Sequence, residues 1–312
     1  MRNLLVALLV AGCYHGSAAP APTPPANKQK NEELARIADD PLAFLPVESD
    51  IVLGVDFARL RDSQLWREQL EPLLMQSASD TFQKVRSQCG FDPLSQLQRV
   101  SIAYKKLDDR HNDGTFVVHG VDSTHTVECI AKASAKTDNI VHDGNVVMVS
   151  KPGDEFVLAI APLGRTGMIM QGAPNANRAS VETRMRIGAP LRTSRTFMTF
   201  FNRLEPAASL WLVINGNSSF LVSAKSMGVS PTGVDMTLTV TDKYVIAARI
   251  TTASAADAIQ LASLANQLSG QARAMVETYD VKADDNVVRV DIVITAPQAQ
   301  TLLTMLGGII AP

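Results

Sequence analysis

Aromatic side chains make up only 5% of the 312 residues, so aliphatic groups must fill whatever core the chain builds. An excess of one charge is also missing. Lys and Arg number 29 against 31 Asp and Glu, a formal net charge of −2. That balance offers nothing to a phosphate backbone or an anionic membrane surface, and it argues against nucleic acid as a partner. No apolar run reaches the roughly 20 residues that a bilayer-spanning helix needs. Familiar catalytic motifs are absent too. There is no Gly-x-Ser-x-Gly elbow for a nucleophilic serine. Gly164-Arg165-Thr166-Gly167 is too short for a phosphate loop and has no lysine to reach the phosphates. Gly228 to Gly233 reads as a turn, with Pro231 standing where a helix would have to start. No cofactor is expected.

What is present begins with an address. Arg2 supplies a positive start, Leu4 to Val10 is a short apolar run, and Val10-Ala11-Gly12-Cys13 follows at once. This is the pattern of a signal peptide over residues 1–12. Its last four residues resemble a bacterial lipobox, which implies cleavage before Cys13 and lipid attachment to that cysteine. Residues 13–44 then read as a tether rich in Ala and Pro (Pro20, Pro22, Pro24, Pro25), extended and semi-rigid. Position 14 is Tyr, not the Asp that resembles an inner-membrane retention signal in enterobacterial lipoproteins. The expected location is therefore the cell envelope, lipid-anchored at the outer membrane and facing the periplasm or the cell surface.

With Cys13 lipidated, Cys89 and Cys129 remain. In an oxidising compartment they read most simply as one disulfide, the alternative being two buried free thiols. A bridge closing about 40 residues stabilises by about 4 kcal/mol in the chain-entropy model.

Beyond Leu45-Pro46, strand-like and helix-like periods alternate. Strands are expected at 51–57, 100–104, 115–121, 146–149, 156–161, 168–170, 210–214, 234–240, 244–250, 278–283 and 287–294. Helices are expected from Asp62 or Ser63 through Leu74, then up to Cys89-Gly90, and after Asp122-Ser123. Others are expected over 194–204, as a short piece over 220–227, along Ala258 to Leu268, and from Thr295 with Gln298 as a capping box. Residues between 171 and 194 read as a polar, arginine-rich connection. The fold class is α+β, with mainly antiparallel sheets and helices packed on one face. The order suggests an internal duplication of a strand-helix-strand-strand-helix-strand-strand-helix unit, dividing the folded part into 45–207 and 208–312. Leu45-Pro46 with Ser49-Asp50-Ile51-Val52-Leu53-Gly54-Val55-Asp56, and Gly90-Phe91-Asp92-Pro93-Leu94 before a strand, resemble uncharacterised lipoproteins of Gram-negative bacteria, myxobacterial ones especially. That resemblance implies no activity.

Among side chains able to do chemistry, His119, His125 and Cys129 lie close together with Asp122 between them. On a strand and a helix they could approach a metal ion, but the spacing matches no zinc pattern and Cys129 is wanted for the disulfide. Surface histidines are the preferred reading. Asp108 to Gly114 has oxygen ligands before a glycine, as a calcium loop does. Counting from Asp109, however, the twelfth position is Gly120 rather than a bidentate Glu, which favours a plain turn. Arg178, Arg184, Arg186, Arg192 and Arg195 could meet an acidic partner or an anionic glycan.

The leading expectation is a non-enzymatic binding or scaffold module, partnered with the membrane through its N-terminal lipid and with an envelope protein or polymer. The alternative is a carrier of a lipid or other apolar ligand, with Met168, Met170, Met227 and Met236 as adaptable walls. A hydrolase assembled from distant residues, with His119, His125 or His142 as its base, is the third.

Overall fold

The computed structural model describes residues 40–302 apart from 78, 91, 109–110, 136, 188–189 and 223–227. The signal segment, Cys13, the expected tether as far as residue 39, Asp109, Met227 and Leu303 onward lie outside the described residues; Leu42, Ala43 and Phe44, expected as the end of that tether, are instead completely buried. The chain forms two compact units that interleave: residues up to Ser49 with Leu74–Ser194, and Asp50–Leu73 with the chain from Arg195 onward.

The first unit holds β2 (Arg99–Lys106), β3 (Asn112–His119), β4 (Asn139–Asp143), β5 (Val146–Ser150), β6 (Phe156–Leu163) and β7 (Gly167–Pro174). Their order across the sheet is β2-β3-β7-β6-β5-β4, with antiparallel pairing throughout. Phe116, Val117 and Val118 of β3, and Met168, Ile169 and Met170 of β7, are all buried whichever way they point. These central strands are covered on both faces, which is why they read as continuous apolar runs. Edge strand β4 is mostly exposed and has no alternation to announce it. At the start of the Ser123–Ser134 helix, the Asp122 carboxylate accepts the His125 N–H at 3.0 Å. That helix buries Val127, Ile130 and Ala131 and packs on β4 to β7. The Cys89–Cys129 disulfide ties it to the Ser79–Cys89 helix, with a Cα–Cα distance of 5.6 Å, and Val85 packs beside the bridge.

In the second unit β1 (Ile51–Asp56), β8 (Leu210–Asn215), β9 (Pro231–Val240), β10 (Lys243–Thr252), β11 (Thr278–Asp284) and β12 (Val287–Thr295) stand in the order β11-β12-β10-β9-β8-β1. All neighbours are antiparallel, and Ile51 lies opposite Ile214. One face carries the Ala255–Leu268 helix, whose Ala258 and Ala262 meet Val281, Val288 and Ile250. Small side chains let this helix approach closely, and Ser254 caps it by accepting the Asp257 N–H. The other face carries the Arg195–Phe201 helix. Phe200 lies over Gly233, and Phe201 stacks edge-on to Trp211. Helices therefore cover both faces of this sheet, whereas one face was expected. Gly54, opposite Trp211, leaves room for the indole that any Cβ would enter.

The strands of the two units share a topological core: a hairpin, a helix, then a returning strand beside the hairpin's second member. In the first unit this is β2-β3, the Ser123–Ser134 helix and β7; in the second it is β9-β10, the Ala255–Leu268 helix and β12. The units nevertheless do not part at residue 207. Because β1 pairs with β8, residues 50–73 belong with the C-terminal sheet.

Candidate functional site

The second unit opens a cleft of about 550 Å³ at the end of β1 and the turn between β9 and β10. That volume falls within the usual size of small-ligand sites. Its floor follows from backbone pairing, since the Asp56 N–H donates to the Ser209 carbonyl at 2.8 Å and aligns the end of β1 with the approach to β8. Asp56 then caps a short helix, Phe57–Asp62, by accepting the Arg59 N–H at 3.0 Å. Ser63 ends that helix by donating its hydroxyl to the Leu60 carbonyl at 2.7 Å, and it caps the helical stretch that follows by accepting the Trp66 N–H at 3.1 Å, in agreement with the cap expected at Asp62 or Ser63.

From Trp66 to Leu70 the backbone is a π-helical turn, with the Glu71 N–H reaching back to the Trp66 carbonyl. Such wide turns are rare and often stand at functional sites. This one is pinned at its base. Trp66 is buried edge-on against Phe57, while Gln69 accepts from the Tyr244 hydroxyl at 3.2 Å and donates to the Ala296 carbonyl at 2.9 Å. With Trp66 turned inward, Arg67 faces the cleft beside Asp62 and Gln64.

Most polar groups around the cleft are already engaged. Arg59 pairs with Asp56 at 3.2 Å, and Gln64 donates to Glu68 at 2.7 Å. The buried Ser209 hydroxyl accepts the Val240 N–H at 3.2 Å, and Thr241 donates to Asp242 at 3.0 Å. Next to the turn, Lys243 is held by Glu277 at 2.7 Å, a contact that raises the lysine pKa. Asp62 and Arg67 differ. Both are exposed to the cleft, and among the described residues neither side chain has a partner. The cleft thus keeps one uncommitted carboxylate and one uncommitted guanidinium.

The side chains singled out from the sequence lie elsewhere. Cys129 is spent in the disulfide, and His125 directs Nε2 to the Cys89 carbonyl at 3.0 Å. His119 ends β3, and His142 is exposed on β4. Among the described residues no three His, Cys, Asp or Glu side chains converge as a metal site. Around Asp108 the chain makes a hairpin turn, with the Leu107 and Asp108 N–H groups both donating to the His111 carbonyl. His111 lies between two carboxylates, Nδ1 at 2.7 Å from Asp108 and Nε2 against Glu155. Hydrogen bonding to Asp108 first, and to Glu155 second, holds the His111 pKa above its ordinary value of 6.5.

The arginine-rich stretch is a helix, Arg178–Ile187, not a connection, and its charges are largely used within the chain. Arg178 pairs with Glu182 at 2.6 Å and Asp143 at 3.1 Å, and Arg184 with Asp113 at 2.6 Å. Arg186 donates to the Glu182 carbonyl at 3.3 Å, and Arg192 is paired with Asp40. Arg186 and Arg195 are exposed, and among the described residues neither is paired with a carboxylate. A buried carboxylate, Asp235, sits opposite Arg249 on β10 at 3.2 Å, with Arg203 at 3.9 Å. Burial nevertheless dominates and raises the Asp235 pKa above the usual carboxylate range. This is a structural ion pair beneath the Arg195–Phe201 helix.

Compared with known protein families, with characterised proteins and with solved structures, the chain matches none.

Proposed function

We propose that this chain is a lipid-anchored cell-envelope protein, held through Cys13, that works as a non-enzymatic binding module for an envelope protein or polymer. The observation that carries the binding reading is the second unit's cleft, in which Asp62 and Arg67 stay uncommitted among engaged neighbours. Its lining residues place charges, hydroxyls and an amide within reach of a polar partner, beside a surface that is mostly apolar carbon. A carrier of apolar cargo would use adaptable apolar walls, yet Met168 and Met170 are completely buried as core filling in β7. For hydrolysis an imidazole must be free to accept a proton. Nε2 of His125 faces the Cys89 carbonyl, and no histidine lines the cleft. The anchor rests on Val10-Ala11-Gly12-Cys13 behind its apolar run.

Mass spectrometry of the intact protein, isolated with whatever accompanies it, tests both parts against a Cys13→Ala control. The expected N-terminal peptide begins at Cys13 with added lipid mass. The expected companion is a polar envelope component that is lost on combining Asp62→Asn with Arg67→Gln. A stoichiometric apolar ligand retained by the Cys13→Ala protein would overturn the binding-module reading in favour of a carrier.

A further inference from the structure

We infer that the cleft of the second unit recognises a short zwitterionic peptide, its carboxylate held by Arg67 and its ammonium by Asp62. The inference rests on the binding reading and specifies the chemistry of its ligand. Charge accounting at the site leads there. Arg59 is neutralised by Asp56 and Lys243 by Glu277, while Asp242 accepts only the neutral Thr241 hydroxyl and keeps its charge. Arg67 is thus a lining guanidinium with no carboxylate paired to it, and Asp62 a carboxylate with no cation paired to it, among the described residues. A polyanion drawn to Arg67 would meet Asp62, and a polycation drawn to Asp62 would meet Arg67. A ligand carrying both signs satisfies both groups.

The size of the cleft limits the ligand's length. Asp62 and Arg67 lie on either side of the break that Ser63 makes between two helical segments. The ends of a fully extended tripeptide are about 7–10 Å apart. A cleft of about 550 Å³ accommodates a molecule of that size. Pinning of the π turn by Trp66 and Gln69 presents Arg67 on a rigid support, so little ordering is needed when the ligand arrives.

Nuclear magnetic resonance titration of the full-length Cys13→Ala protein with trialanine tests this, using the N-acetylated, C-amidated and doubly capped forms as controls. Free trialanine is expected to shift amides of residues 59–67 and 239–242. Each single cap is expected to weaken binding roughly threefold to tenfold, as for a charge-assisted contact in a partly hydrated site. Asp62→Asn should remove the penalty for acetylation only, and Arg67→Gln the penalty for amidation only. Because both side chains are exposed and unpartnered, unchanged melting temperatures will show that the variants fold. If all four peptides bind the cleft equally, the zwitterion inference fails while the binding reading stands. If none binds yet a partner copurifies through the cleft, the inference again fails alone. If none binds and no partner is found, both fail.

Discussion

Removing the Cys89–Cys129 bridge should destabilise the first unit by an amount set mainly by the length of chain it closes. The two cysteines are 40 residues apart, and a loop of that size corresponds to about 4 kcal/mol in the chain-entropy model. For a unit of this size that is a fall in melting temperature on the order of 10 °C. Two perturbations separate the cross-link from the packing. Reduction under unfolding conditions followed by refolding keeps both sulfur atoms and loses only the link. Pairing Cys89→Ala with Cys129→Ala also empties the buried space beside Val85, so it should cost roughly a further 1 kcal/mol. Calorimetry in a Cys13→Ala background avoids a third thiol that could exchange. Hydrogen exchange should localise the loss, with β5 to β7 giving up protection while β9 to β12 keep theirs. Melting of the reduced protein within about 2 °C of the oxidised form would refute the loop-closure reasoning. So would equal loss of protection in β9 to β12.

Met170 is fully buried in β7, and Met170→Ala should cost about 2–5 kcal/mol; a chemical denaturation midpoint unchanged from wild type would contradict that packing. His111 has its folded pKa raised, so its contribution is complete below its unfolded value and disappears as pH rises through the folded one. The melting-temperature gap between wild type and His111→Gln should accordingly be widest below pH 6.5 and shrink as pH rises above it, and a gap independent of pH would refute it. Loss of the cap in Ser254→Ala should cost about 1 kcal/mol and loosen the Ala255–Leu268 helix, which circular dichroism melts would register. Gly54→Ala places a methyl group inside the Trp211 indole; near-ultraviolet circular dichroism should lose the tryptophan signature, and an unaltered spectrum would show the ring has room to move.

Legibility in the sequence followed local periodicity. The β9-β10 hairpin could be read because Val234, Met236, Leu238 and Val240 alternate with polar residues and Asp242-Lys243 makes the turn. The cap at Asp122 and the contact of Gln298 with Thr295 were visible for the same reason. Strand β4 was not, since its residues are nearly all exposed and carry no burial pattern. The Arg178–Ile187 helix was hidden by its polarity: only Val181 among its described side chains is buried. A reciprocal cap holds its start, with Asn177 accepting from the Ser180 N–H and donating to the Ser180 hydroxyl. The candidate site was harder still. Asp62 was singled out only as a helix cap, and Arg67 not at all, because their significance lies in contacts they do not make. A π turn leaves no sequence period, although the apolar spacing of Trp66 and Leu70 marked the face turned inward.

The pairing of β1 with β8 has a consequence for how the chain comes into being. Ile51 is synthesised roughly 160 residues before its partner Ile214, a delay of about ten seconds or more at ordinary elongation rates. During that interval the first unit's strands can all emerge and pair, while β1 waits with its backbone unsatisfied along the β8 side. The second unit is thus the last to close, and the pairing of β1 with β8 spans about half of the chain. No single cut can release it whole. A fragment from Arg195 onward lacks β1, the Phe57–Asp62 helix and the π turn, and so lacks Asp62 and Arg67. An isolated second unit has to be made by joining residues 50–73 to 195–312 through a new linker.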